Sequence, residues 1–349
     1  MKAIVTGGAG FIGSSLVKKL INSLEYEVLA LDALTYASHI DSLKEVQDSS
    51  LFSFSETDIR DENAVEHIYN EFKPDFIFNL AAETHVDRSI DSPELFLETN
   101  IFGTYRLLNV SLRYWKTLEK EKKDKFRFLH ISTDEVFGDL EANDPPFEET
   151  NNYDPSSPYS ASKASSDHLV RAWHRTYKLP VVLSNCSNNY GPFQFYEKLI
   201  PLMIIKALRG ERLPIYGTGL QVRDWLYVED HTDALIKIIH EGLVGESYNI
   251  GASCEKTNLQ VVEEICRILD DTQPSKPGNI KSFKELISFV DDRPGHDQRY
   301  AINSDKIQKE LGWTASENFE SGLKKTIDWY SKRADTIFYQ AERIGQNKG

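Results

Sequence analysis

A doubly wound α/β fold, a parallel sheet with helices on both faces, followed by a smaller and less regular C-terminal region, is predicted by three features of the chain. Short β-branched or apolar runs alternate with longer stretches of helical periodicity, the rhythm of βαβ units. A glycine-rich turn, Gly8-Ala9-Gly10-Phe11-Ile12-Gly13, joins the first such run to the first helical stretch. Past Leu183 the rhythm breaks down into segments interrupted by glycine and proline.

In chain order, the strand signals fall at residues 3–5, 28–31, 51–54, 76–78, 126–131 and 181–183. Helical spacing of apolar residues recurs over 12–20, 64–72, 93–114 and 158–177, between those strands. Residues 185–195 are polar with a Gly-Pro step, and 213–224 are broken by Pro214, Gly217 and Gly219, so both read as loops of a binding region. A strand over 248–250 and a helix over 259–269 follow. The expected division is a nucleotide-binding domain over 1–184 with a chain return near 225–252, and a substrate-binding region over 185–224 and 253–349. The charge run 116–125 reads as a solvated helix end.

Composition excludes several classes. With 40 lysines and arginines against 54 acids, the 349 residues carry a formal charge of −14, which opposes general nucleic-acid binding. Cys186, Cys254 and Cys266 have neither zinc-ligand spacing nor the density of a disulfide scaffold, so no metal is expected and the cysteines read as reduced. No apolar stretch approaches the ~18 residues of a membrane helix, and strand signal begins at once, leaving no room for a signal peptide. The expectation is a cytoplasmic protein without a membrane or nucleic-acid partner.

The glycine turn matches G-x-G-x-x-G in the one setting that gives the motif meaning, after a strand and opening a helix, and it marks a Rossmann-type dinucleotide site. Asp32 ends the second strand about 20 residues on. A carboxylate there accepts from an adenosine ribose and repels the extra phosphate of NADP, so the expected cofactor is NAD. Asp58-Ile59 after the third strand suit the adenine edge, and Leu80-Ala81-Ala82 after the fourth supply small residues against the cofactor.

Tyr159 and Lys163 stand four apart just after Pro158, on one face of a helix that starts there. Alone, a Tyr-x-x-x-Lys is usually a surface pair. In a chain with a dinucleotide fingerprint it reads as a reaction centre, in which the Lys163 ammonium and a nicotinamide ring favour phenolate so that Tyr159 acts as a base.

Gly-Gly-Ala-Gly-Phe-Ile-Gly at 7–13 together with Tyr159 and Lys163 resembles the extended short-chain dehydrogenase/reductase superfamily. Ser132-Thr133-Asp134-Glu135-Val136-Phe137-Gly138, Cys186-Ser187-Asn188-Asn189-Tyr190-Gly191-Pro192 and Asp292-Arg293-Pro294-Gly295-His296-Asp297 narrow the likeness to the dTDP-glucose 4,6-dehydratase family. Dehydration explains the Thr-Asp-Glu triplet, because one group must remove a carbon-bound proton while another protonates a departing hydroxyl. Burial of one carboxylate beside another raises the pKa of one, so that acid and base coexist.

The resemblance implies roles. Tyr159 deprotonates the hydroxyl at sugar carbon 4 with Thr133 sharing its polarisation, Glu135 removes the hydrogen at carbon 5, and Asp134 protonates the hydroxyl leaving carbon 6. NAD is regenerated at each turnover and stays bound. Gly7, Gly10, Phe11, Ile12 and Gly13, Asp32 with Ala33, Leu34 and Thr35, and Thr84, Thr99 and Asn189 fall among the implied cofactor contacts. The implied partner is a nucleotide-diphosphate sugar, held by Thr84, His85, Asn188, Lys198, Leu199, Pro214, Ile215, Tyr216, Arg223, Asn258, Arg293 and His296. A homodimer pairing the helices over 93–114 and 158–177 is likewise implied. Departures are a short stretch over 139–150, Phe137 where tyrosine is usual, and a charged tail over 331–349. An epimerase of the superfamily needs no paired acid and base, and a non-catalytic NAD-binding regulator would show a degraded reaction centre.

Overall fold

The computed structural model describes residues 1–292 and 295–334. Among these, seven parallel strands form one sheet. Its first half runs β1 (Lys2–Thr6), α1 (Phe11–Leu24), β2 (Glu27–Asp32), β3 (Phe52–Glu56) and α2 (Glu62–Phe72). β4 (Phe76–Asn79), α3 (Val86–Asp91), α4 (Pro93–Phe96), a π-helical turn over Leu97–Gly103, α5 (Thr104–Thr117) and a short exposed α6 (Lys120–Lys125) follow. The second half adds β5 (Arg127–Thr133), a 3-10 turn over Asp134–Phe137, α7 (Pro158–Tyr177) and β6 (Val181–Cys186). The chain leaves for β7 (Asn188–Tyr190), α8 (Leu199–Arg209), β8 (Leu213–Tyr216) and β9 (Val222–Tyr227). It returns through α9 (Val228–Glu241) to lay β10 (Ser247–Ile250) on the sheet edge.

The strand order is β10-β6-β5-β4-β1-β2-β3. Direction of winding reverses between β1 and β4, and this reversal opens a crevice at the carboxyl ends of the strands. Apolar cores lie on both faces, one joining α1 and α9 to the sheet and the other α2, α5 and α7. Burial on both sides is why β4 and β6 are fully buried and read as continuous apolar runs.

A separate core lies under α8, α10 (Asn258–Thr272) and α12 (Phe319–Ser331). It is edged by a three-stranded sheet of β7, β9 and β11 (Glu255–Thr257) and a two-stranded one of β8 and β12 (Ile287–Val290). The irregular region of the sequence therefore contains more strand than its Gly-Pro breaks suggest. The stretch read as one helix over 93–114 is also interrupted by the π turn. Most of the charge run forms α6, a short helix of its own in which Lys120 and Lys125 pair with acids one turn away. Among the described residues, no helix is long and apolar enough to cross a membrane.

Candidate active site

The crevice holds a cavity of about 400 Å³ whose lining runs from the glycine turn, past the ends of β2, β3, β4 and β5, to the start of α7 and to β7. Gly7 has φ +66°, and a Cβ on Gly13 would stand 2.1 Å from the carbonyl oxygen of Gly7, so neither position tolerates a side chain. Gly10 caps α1 without a side chain, and Phe11-Ile12-Gly13-Ser14 put no acid in its first turn. The free N–H groups and positive end of α1 thus face the cavity as an anion site.

Asp32 is buried, its Oδ2 accepting from the Ala9 N–H (2.9 Å) and its Oδ1 from the Leu34 N–H and Ser38 hydroxyl (2.8 and 2.7 Å). It therefore ties the glycine turn to the β2 loop while lining the cavity. Asp58 also lines it, with its carboxylate accepting from the Arg60 guanidinium and N–H. Ala33, Thr35, Ile59, Leu80, Ala81, Ala82, Thr84 and Thr99 complete this half, whereas Leu34, at φ 51°, reaches it only through its N–H on Asp32. These glycines, the open helix end and the buried aspartate suit a dinucleotide such as NAD.

The other half carries the chemistry. Ser157 and Ser160 form a capping box that starts α7 at Pro158 and fixes Tyr159 in its first turn. The Phe96 ring meets Tyr159 edge-on at 6.4 Å. β5 ends at Thr133, whose Oγ1 accepts from the Glu135 N–H (3.3 Å) and donates to Asp134 Oδ1 (3.2 Å). Asp134, Glu135, Tyr159 and Lys163 therefore converge on one wall.

Burial and the neighbouring Glu135 and Asp224 push the Asp134 carboxyl well above the ordinary carboxylate range, which favours its protonated form. Its Oδ2 is buried and has no hydrogen-bond partner among the described residues. Burial and the Glu135 carboxylate also raise the Tyr159 phenol, while burial lowers Lys163, whose Nζ donates to the Ile131 carbonyl at 2.7 Å. The phenolate expected from the sequence thus has its burial and the facing Glu135 carboxylate to overcome. It needs the cationic charge of Lys163, and of a nicotinamide, in full.

The sugar-nucleotide candidates divide. Asn188, Asn189 and Lys198 line the cavity beside Thr84, with Lys198 Nζ donating to the Thr84 carbonyl. His85 stands behind them, 3.5 Å from Glu197, and burial followed by the Lys198 charge lowers it to about 4, so its ring is neutral. Tyr216, Arg223, Asn258 and His296 lie beyond the cavity, yet close to one another. Arg223 is buried over the Tyr300 ring (4.3 Å) and donates to the Val222 and Asp297 carbonyls, His296 holds Asp292, and Tyr216 meets the His296 ring edge-on. The Asn258 N–H donates to the Gln221 carbonyl beside them. Leu199 and Ile215 belong to the second core, next to Pro214, so Ile215 can offer a ligand only its backbone. Arg293 lies outside the described residues.

Sequence reasoning passed over Glu83, Tyr36, Phe195 and Cys186, all in the lining. Glu83 was discoverable as a lone carboxylate between the small residues Ala82 and Thr84. Tyr36 takes the Arg88 guanidinium on its face at 3.8 Å, and Arg88 pairs with Glu197 at 3.0 Å, which joins the β2 loop to the segment before α8. Among the described residues no cluster of three His, Cys, Asp or Glu has the grouping to hold a metal.

A family model described as GDP-mannose 4,6 dehydratase matches residues 4–326. A dTDP-glucose 4,6-dehydratase of Neisseria gonorrhoeae is 54% identical over 327 residues, 94% of each chain. One of Shigella flexneri is 57% identical over 338 residues, 95% of this chain and 92% of its own. Among solved structures, a dTDP-glucose 4,6-dehydratase of Bacillus anthracis in complex with NAD superposes with TM-score 0.84 at 42% identity, covering 96% of this chain and 98% of its own. A UDP-glucose 4-epimerase of Thermotoga maritima with UDP-glucose reaches TM-score 0.82 at 29% identity, over 95% of this chain and 99% of its own.

Proposed function

The chain belongs to the sugar-nucleotide 4,6-dehydratase family, among its dTDP-glucose 4,6-dehydratases, and from that premise we propose how its residues share the reaction. The enzyme carries out NAD-dependent 4,6-dehydration of dTDP-glucose to dTDP-4-keto-6-deoxyglucose. When bound, NAD supplies a reversible hydride acceptor that takes two electrons from sugar carbon 4 and returns them to carbon 6. The glycine turn and the start of α1 hold its pyrophosphate, and Asp32 faces its ribose.

Tyr159 takes the proton of the hydroxyl at carbon 4, with Thr133 on the same oxygen. Oxidation there acidifies the hydrogen at carbon 5, which Glu135 removes. Asp134 gives its proton to the hydroxyl leaving carbon 6, so that water departs, and Glu135 returns a proton to carbon 5. What carries this reading is a buried Asp134, its carboxyl raised above the ordinary carboxylate range, next to Glu135 at the end of β5 and facing Tyr159. A 4-epimerase has no use for that pair. Tyr216, Arg223, Asn258 and His296, with Arg293, hold the nucleotide.

Two copies associate through the face of α3, α4, the π turn and α5, where Ile90, Leu97, Phe102 and Tyr105 stand 39–48% exposed. The cytoplasm is the compartment that suits a chain with three unpaired cysteines.

The roles are tested with dTDP-glucose in deuterated water, reading 4-keto product and deuterium at carbon 5. Glu135→Gln is expected to abolish both. Asp134→Asn is expected to cut product formation ~10²-fold or more while carbon 5 still exchanges. Equal loss of exchange in both variants would overturn the division of labour. Turnover of GDP-mannose in preference to dTDP-glucose would overturn the choice of substrate.

A further inference from the structure

Behind Lys163 lies a polar chain that the reaction does not use. Thr6, Asn79, His130 and Asp167 are each at most 1% exposed. The Ala81 N–H, at the cavity wall, donates to Thr6 Oγ1 (3.1 Å), which donates to Asn79 Oδ1 (2.8 Å). Asn79 Nδ2 then donates to His130 Nδ1 (3.0 Å). With that nitrogen accepting, the His130 proton sits on Nε2, which faces Ser166 Oγ at 3.2 Å and Asp167 Oδ1 at 3.3 Å. Asp167 Oδ2 accepts from the Ser132 hydroxyl (2.8 Å), the Tyr153 hydroxyl (3.0 Å) and Asn185 Nδ2 (3.4 Å).

The donors of this chain point toward Asp167, so its buried carboxylate is ringed by hydrogen-bond donors. Asp167 follows Lys163 by four residues on α7, the same step that separates Lys163 from Tyr159. The other groups near Lys163 are His130 from β5 and Cys186 from β6, with Asp134 and Glu135 beyond Tyr159 and Arg171 on the far side of Tyr153. Cys186 is pushed up to about 12, chiefly by burial, so it stays a thiol. His130 is kept neutral by burial and by the Lys163 charge.

We propose that Asp167, oriented by His130, Ser132 and Tyr153, is a positioning residue that keeps Lys163 cationic against its burial, and so selects the phenolate–ammonium form of the Tyr159–Lys163 pair. The proposal rests on the assignment of that pair as the reaction centre. Loss of the first proton from the pair yields either phenolate with ammonium, which is active, or phenol with amine, which is not. Asp167 lies nearer Lys163 than Tyr159 along the helix, so removing its charge shifts the balance toward the inactive form.

This has a signature that a packing defect lacks. On the acidic limb the rate follows ionisation of Tyr159 with Lys163 charged, and Asp167→Asn leaves it nearly superposed on the wild type. The variant then levels off at lower pH, on a kcat plateau roughly tenfold lower for each unit by which Lys163 becomes more acidic, with KM unchanged. Lys163 is followed directly in the NAD-loaded enzyme by NMR of ¹³Cε-labelled lysine, its signal identified by loss in Lys163→Met. In Asp167→Asn it is expected to titrate at least about one pH unit lower.

Uniform loss of kcat across pH, or an unmoved Lys163 titration, would overturn the proposal. Should Asp167→Asn not fold, the wild type decides: Lys163 must still be an ammonium at about pH 8, and an amine there refutes the counter-charge. The Tyr159–Lys163 assignment fails separately, if Tyr159→Phe and Lys163→Met keep full activity.

Discussion

At the scale of the residue, Asp134 shows how stability is given up for chemistry. Its carboxyl is raised by burial, Glu135 and Asp224, so folding favours its protonated form. A group shifted in this direction contributes its full stability below its unfolded pKa near 3.9 and loses it as pH climbs through the folded value. Asp134→Asn removes that dependence while keeping the shape. At neutral pH the variant is expected to melt a few degrees higher than the wild type, with the difference shrinking to nothing below about pH 4, while product formation collapses. Melting curves between acid and neutral pH check both parts, and a variant that melts lower at every pH would show that the carboxyl is stabilising in place.

At the scale of the element, the π turn over Leu97–Gly103 positions the site from behind. It carries Asn100, whose Oδ1 accepts from the Glu83 N–H at 2.8 Å and whose Nδ2 donates to the Glu83 carbonyl at 3.0 Å and to Ser162 Oγ at 2.8 Å. One side chain thereby joins the loop after β4 to α7, between Tyr159 and Lys163. Asn100→Leu would strand the buried Glu83 amide and carbonyl, and is expected to lower stability by about 3 kcal/mol and to reduce kcat together with NAD retention. Chemical denaturation with assay of the copurified nucleotide measures both, and unchanged retention would detach the turn from the site.

That turn was not legible in the sequence. The apolar spacing over 93–114 stays helical on average while one wider turn slips the register, and Asn100 in isolation reads as an ordinary polar helix residue. The sheet was legible because strands buried on both faces leave short unbroken apolar runs, as in Phe-Ile-Phe at 76–78. Strand ends were less so, since β5 continues through Ser132-Thr133, where polar side chains turn from packing to the site. Tyr159, Lys163, Asp134 and Glu135 were legible because local spacing carries them. The link from His130 to Asp167 is made only by β5 lying under α7. Short strands such as β7 and β11 give too few residues for a periodicity to show.

At the scale of the whole molecule, the apolar face along α3 to α5 continues onto α7. Tyr105 meets the Trp173 ring edge-on at 5.7 Å and Trp173 meets Tyr177 at 5.4 Å, with Tyr177 itself 45% exposed. Water against such a continuous patch is unfavourable, and a second copy related by a twofold axis would cover it with the same side chains. Phe102→Glu combined with Tyr105→Glu puts like charges opposite one another across that axis. Light scattering is expected to move from twice the chain mass of 39.9 kDa to once that mass. Phe102 sits on the π turn beside Gly103, which packs against Ile59 of the cavity lining. The separated subunits should therefore also hold NAD more weakly, by several-fold, with the loss read by equilibrium binding. Persistence of the dimer would place the contact elsewhere; separation with unaltered NAD affinity would show that the π turn keeps its geometry without a partner, and that each crevice works alone.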